Sequence, residues 1–68
     1  MGKSYSSREV IRTLEAHGFI LRSVKGSHHK YVNGSRKTVV PHPQKDLKLG
    51  TLLSILEHAG LSLKDLED

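Results

Sequence analysis

The stretch that decides the fold is FILRSVKGSHHKYVNGSRKTVV, residues 19–40. It contains runs of β-branched, aromatic and large apolar residues that each predict a short strand: 19–24, 28–32 and 37–40. Gly26 supplies a first turn, Asn33-Gly34 is a strong hairpin signal, and Pro41 ends the last strand because proline cannot donate to a ladder. Such short connections predict a three-stranded antiparallel meander.

A helix is predicted on each side of the strands. The first begins after Ser6, which has the capping-box spacing to Glu9, and it ends before Gly18. The second spans residues 49–59 and is followed by Gly60. Apolar residues at helical spacing predict the buried face of this second helix: Leu49, Leu52, Leu53, Leu56 and Ala59.

These elements assemble into one small domain, expected to span residues 1–68. A further helical turn is predicted after Ser62, with Leu63 and Leu66 facing inward. Two amphipathic helices need an apolar surface to pack against, and one face of the sheet is the only large apolar surface available. The predicted fold is therefore α+β, with the order αβββα, two helices on one sheet face and the other face partly open.

Composition and motifs exclude several classes of protein. The chain has no cysteine, so it has no disulfide and no thiolate metal ligand, and it fits an intracellular protein at least as well as a secreted one. No apolar stretch approaches the ~18 residues of a membrane span. Adjacent strand histidines diverge, which disfavours a zinc site, and no glycine-rich phosphate loop is present. We expect no metal, no small-molecule cofactor and no membrane partner.

Positive charge is concentrated in the middle of the chain. The net charge is +4, and no acidic residue lies between Ala16 and Lys45. Folded into a domain, such a segment makes a positive surface suited to phosphates. A solvated face with a skewed set of charges is the other interpretation, and we favour a polyanionic partner. The basic residues of the segment are Arg22, Lys25, Lys30, Arg36, Lys37 and Lys45.

The reactive side chains cluster at residues 25–30, KGSHHK. Consecutive strand residues point to opposite sheet faces, so His28 and His29 are expected on different faces. We expect Tyr31 to contact the core. His29 would then lie on the same sheet face as Tyr31, and His28 and Lys30 would lie on the open face.

Histidine on a basic surface suggests acid–base chemistry on RNA. An imidazole that titrates near pH ~6.5 exchanges a proton at neutral pH. With Lys25 and Lys30 holding a phosphodiester, His28 would withdraw a proton from an RNA 2′-hydroxyl, and cleavage through the adjacent phosphate needs no metal. Gly26, with Ser27 beside it, would let the phosphate approach the main chain. Histidines that only bind RNA are the alternative, and the residues by themselves favour that alternative.

Several short blocks of the chain resemble a known family, the HicA toxins of prokaryotic toxin–antitoxin systems. Their order and spacing match from about residue 6 to residue 61. Gly-Ser-His alone is a weak signal, whereas the blocks together are specific. They are GF at 18–19, GSHH at 26–29, VPH at 40–42 and GTLLSIL at 50–56.

The resemblance carries expectations about fold, activity and partner. It implies a double-stranded-RNA-binding-domain-like fold, a cytoplasmic mRNA interferase that cleaves RNA without the ribosome, and a HicB antitoxin that covers the active surface. The family's catalytic histidine directly follows Gly-Ser, which is His28 here, and its motif glycine is Gly26. No role transfers to His42, and the matches in the last helix are expected to serve the fold.

We therefore predict a metal-independent endoribonuclease toxin that uses His28 as general acid/base. Its RNA contacts are expected from Lys25, Gly26, Ser27 and Lys30. The first rival is a non-catalytic RNA-binding module of the same fold, and the second is a protein-interaction module whose basic face holds an acidic partner. Cleavage of RNA by the purified chain in EDTA separates the first interpretation from its rivals.

Overall fold

Helices flank a three-stranded antiparallel sheet in the order β1-β2-β3. The computed structural model describes residues 4–67. The predicted α+β fold with the order αβββα is confirmed, and a short third helix follows. The elements are α1 (Ser7–Ala16), β1 (Ile20–Lys25), β2 (His28–Asn33), β3 (Arg36–Pro41), α2 (Leu49–Ala59) and α3 (Leu63–Glu67). No helix in this described range is long and apolar enough to cross a bilayer.

The start of α1 is fixed by the predicted capping box. The Glu9 amide donates to Ser6 Oγ at 3.2 Å, and the Ser6 amide donates to Glu9 Oε1 at 2.9 Å. These two bonds satisfy amides that the first helical turn leaves free, which stabilises such a helix by about 1 kcal/mol. The helix ends before Gly18, as predicted.

Two glycines set the register of the strands. Gly26 and Gly34 each have φ of 61°, a left-handed conformation that side chains other than glycine rarely adopt. The turns they form place His28 opposite Lys25 of β1 and opposite Pro41 of β3. Between Leu21 and Ser23 the β1–β2 pairing shifts by one residue, so Arg22 lies at a bulge.

The core lies between one sheet face and the helices. The buried strand residues Tyr31, Thr38 and Val40 occupy alternating or directly paired positions, so they share that face. The Thr38 hydroxyl donates to the Ile55 carbonyl at 3.0 Å and so ties α2 to β3. Tyr31 is confirmed as a core residue. The other buried apolar residues are Tyr5, Val10, Leu14, Phe19, Leu47, Leu52, Ile55, Leu56 and Ala59.

The predicted buried face of α2 is partly wrong. Leu49 and Leu53 are 63% and 43% exposed, whereas Ile55, which the prediction omitted, is 3% exposed. The observed stripe is Leu52, Ile55, Leu56 and Ala59, which follows the i, i+3, i+4, i+7 spacing of a single helical face.

The helical turn predicted after Ser62 is present as α3, but only one of its two apolar residues faces inward. Leu66 packs against the core cluster, whereas Leu63 is exposed. The short helix therefore covers less apolar surface than expected.

Strand β1 is the exposed edge of the sheet. All six of its residues are exposed, including Ile20, Leu21 and Val24. The helices pack mainly over β3 and leave the β1 side of the sheet uncovered.

Adjacent leucines of α2 test the rotation of its buried face. Leu52→Ala should lower the free energy of unfolding by about 2–5 kcal/mol, because it opens a cavity in the core. Leu53→Ala, the matched control, should cost less than about 1 kcal/mol, because its side chain is already half in water. Urea unfolding followed by circular dichroism measures both. Equal losses would contradict the observed face.

Candidate functional site

The sheet face opposite the helices carries a row of basic side chains. Side chains of directly paired strand residues share a face, as do residues two apart in one strand. Lys25 pairs with His28, and Lys30, two residues further along β2, pairs with Val39. Lys37 pairs with Val32 and falls on the same face. The pairing thus gathers Lys25, His28, Lys30 and Lys37 on the face away from the core.

The turn before His28 is held to the end of β3. The His42 amide donates to the Ser27 carbonyl at 2.8 Å, which extends the ladder by one bond beyond β3. A side chain at Gly26 would meet no atom of residues 4–67 within 4 Å, so the left-handed backbone, not crowding, requires glycine there. The loop of Gly26 and Ser27 is therefore open to solvent beside exposed Lys25 and His28.

The opposite face, where the sheet meets α1, carries a cluster formed by Ser7, His29 and His42. The rings of His29 and His42 pack edge to face, with 5.0 Å between their centroids. His42 Nδ1 lies 2.6 Å from the Oγ of Ser7, which is 1% exposed. His28 and His29 therefore lie on opposite faces of the sheet, as predicted. His29 contacts His42, and His28 lies on the face of the lysines.

Ser7 Oγ links His42 to the segment that follows β3. It accepts from the Gln44 amide at 2.9 Å and shares a hydrogen bond with His42 Nδ1, in which the donor depends on the ring tautomer. Sequence reasoning missed this cluster, because Ser7 and His42 are far apart in the chain and no motif links them.

A groove lies between the sheet and α2. Lys30, Lys37 and Val39 line it on the sheet side, and Gly50, Thr51, Ser54 and His58 line it on the helix side. The block at 50–56 was expected to serve the fold alone, but it contributes both to the core and to this groove. Its residues Leu52, Ile55 and Leu56 are buried in the core, and its small and hydroxylated residues face the groove.

The pKa values of Tyr31 and Asp65 depart from their ordinary values. Burial, followed by the charge of Glu15, raises the pKa of Tyr31, so its hydroxyl stays neutral beneath the sheet. The hydrogen bond from the Ser62 amide is the main cause that lowers the pKa of Asp65, which lies 3.7 Å from His17. Among residues 4–67, no three histidine or acidic side chains come together as a metal site would require.

The family model described as HicA toxin of bacterial toxin–antitoxin matches residues 7–61, which run from the start of α1 to just past α2. The chain belongs to the HicA toxin family. The resemblance seen in the sequence is thereby confirmed, and this HicA protein is the toxin component of a toxin–antitoxin system, paired with an antitoxin. No curated protein matches the chain.

The hydrogen bond between Ser7 and His42 of this HicA toxin is open to direct measurement. Ser7→Ala should shift the ring ¹⁵N resonances of His42 and lower the free energy of unfolding by about 1–3 kcal/mol, because the Gln44 amide and the His42 ring both lose their partner. Ser35→Ala, in the exposed β2–β3 turn, is the control and should change neither. Unchanged His42 resonances in folded Ser7→Ala would contradict the contact.

Proposed function

We propose that this HicA toxin is a metal-independent endoribonuclease that cleaves mRNA, with His28 as its general acid/base. RNA contacts are assigned to Lys25, Gly26, Ser27 and Lys30. The observation that carries the proposal is the strand pairing, which puts an exposed histidine between lysines on one open sheet face.

The chemistry needs only groups that this face and the RNA supply. His28 takes the proton of a ribose 2′-hydroxyl, and the 2′-oxygen then attacks the adjacent phosphorus. The bond from phosphorus to the 5′-oxygen breaks, and this oxygen takes the proton that His28 had accepted. The products are a 2′,3′-cyclic phosphate on one fragment and a 5′-hydroxyl on the other, and His28 is neutral again. Lys25 and Lys30 would neutralise the charge that grows on the phosphate oxygens.

The positive charge of the sheet supports both RNA as the substrate and an acidic antitoxin as the partner. The segment between Ala16 and Lys45 has no acid, and it forms the whole sheet. An RNA backbone is attracted to such a face at long range. A HicB-like antitoxin that silences the enzyme would bring carboxylates to the same face and cover His28, which gives fast, salt-sensitive association.

His29 is the second candidate for the proton-transfer role. It is half-buried, its ring contacts the ring of His42, and His42 is fixed in turn by buried Ser7. A base whose orientation is set by a second residue is a common catalytic arrangement. His28 has the better access to a phosphate held by the lysines, and His29 has the better fixed ring.

A non-catalytic RNA-binding module of the same fold remains the rival function. RNA cleavage by the purified chain in EDTA, followed by mapping of the new 5′ ends, distinguishes the two. Salt-dependent binding without cleavage would select the rival.

Matched substitutions of the neighbouring histidines test the catalytic assignment. His28→Ala should fold like the parent, bind RNA, and cleave it about 10²–10⁴-fold more slowly, because positioned proton transfer is removed. His29→Ala should keep measurable cleavage and lower the melting temperature, because it removes the ring that packs on His42. Cleavage rates and thermal unfolding of both variants give the answer. A folded, inactive His29→Ala beside a fully active His28→Ala would move the role to His29.

The salt dependence of RNA binding tests the two lysines. With single-stranded RNA, each phosphate that the protein neutralises adds about 0.7 to the slope of log affinity against log salt. Replacing both Lys25 and Lys30 by Gln should therefore flatten the slope by about 1.4. The control replaces Lys48 and Lys64, two exposed lysines outside the face, in the same way. An equal change in both variants would show that net charge alone is responsible.

A further inference from the structure

The groove between β3 and α2 carries positive charge and lies close to the proposed catalytic face. Its base is fixed by the hydrogen bond from Thr38 to the Ile55 carbonyl, which holds α2 against the strand. None of the described residues that line it carries a carboxylate. On the sheet side it has two lysine side chains, and on the helix side it has two hydroxyls and an imidazole: Lys30, Lys37, Thr51, Ser54 and His58.

Gly50 leaves one position of this groove without a side chain. It is the second residue of α2, and it is not among the glycines with positive φ, so its backbone does not require glycine. A methyl group at Gly50 would meet no described atom within 4 Å, so crowding does not require glycine either. What the missing side chain preserves is therefore room in the groove.

The chemistry of the groove matches a nucleic acid strand. Lysine side chains and hydroxyl groups are the usual partners of phosphate and sugar oxygens. Val39, which is 44% exposed and lies directly opposite Lys30, offers an apolar surface for a ribose or a base. An acidic protein segment would find the same cations, but it would leave the hydroxyls and the small Gly50 surface without a specific role.

The groove is continuous with the proposed catalytic face. Lys30 lines the groove and also lies two residues from His28 on the same side of β2, a separation of about 7 Å along the strand. A chain held by Lys30 and Lys37 at one end would therefore pass His28 at the other.

We propose that this groove binds the single-stranded RNA that flanks the cleaved phosphodiester, with Lys30 and Lys37 on its phosphates and Thr51 and Ser54 on its sugar or phosphate oxygens. The inference rests on the proposed ribonuclease function and extends the RNA-binding surface from the sheet to α2.

Filling the empty position is the sharpest test. Gly50→Gln places a neutral side chain in the groove without a clash, so its melting temperature should be close to that of the parent. Its affinity for RNA should fall about tenfold. The control is Leu49→Gln, which puts the same side chain on the neighbouring, exposed position outside the groove and should change affinity less than about twofold. The probe is fluorescein-labelled, random-sequence 2′-fluoro RNA of about 12 nucleotides, which cannot be cleaved, read by fluorescence anisotropy.

A second variant tests the groove by charge. Lys37→Gln should weaken binding of the same probe and flatten its salt dependence by about 0.7, whereas Lys64→Gln on α3 should leave the slope unchanged. Lys37 lines the groove and also lies on the open sheet face, so its replacement is interpreted together with Gly50→Gln, which changes the groove alone.

The outcomes separate this inference from the ribonuclease proposal. If folded Gly50→Gln and Lys37→Gln bind and cleave RNA like a parent that is itself active, the groove assignment is overturned and the ribonuclease stands. If the parent neither binds nor cleaves RNA, both fail. If Gly50→Gln keeps its RNA affinity and loses only its binding to the antitoxin, the groove belongs to a protein partner, and the inference is overturned.

Discussion

The register of β2 against its neighbours is the constraint on which the rest of this structure depends. Gly26 and Gly34 fix it through left-handed turns at both ends of the strand. Because side chains alternate along a strand, a slip of one residue would exchange its two faces. His28 and Lys30 would then enter the core, and Tyr31 would leave it. Two turn glycines therefore decide both the stability of the core and the composition of the basic face.

The small size of the chain explains why so much of the sheet stays available for binding. In a chain of 68 residues the helices cover only part of one sheet face, and they lie mainly over β3. The open face is then free to carry charge, since lysines there need no buried partner. The bond from Thr38 to Ile55 has a second effect, because it holds α2 at the border of that face and creates the groove. A sparse core and a broad functional surface are two results of one packing arrangement.

Local signals in the sequence were sufficient for the fold and insufficient for the contacts at the site. Turn glycines, the Ser6–Glu9 cap and the apolar strand runs act over a few residues, and they predicted the element order correctly. The face of α2 was harder, because its many leucines at 49, 52, 53 and 56 fit more than one helical stripe. Only packing against Thr38 and Val40 selects the stripe that includes Ile55. The contact of Ser7 with His42 joins distant parts of the chain, and nothing in the local sequence encodes it.

The exposure of β1 affects how the free toxin behaves in solution. An edge strand with accessible Ile20, Leu21 and Val24 offers unpaired backbone groups and apolar side chains to any second strand. Arg22, at the bulge, and Lys25, at the strand end, place charges on this edge and hinder edge-to-edge pairing between copies. The same two cations that suit a polyanion thus act as gatekeepers against aggregation. Colloidal stability and ligand binding are therefore coupled in this chain: anions that neutralise the basic face also remove the repulsion that keeps its molecules apart.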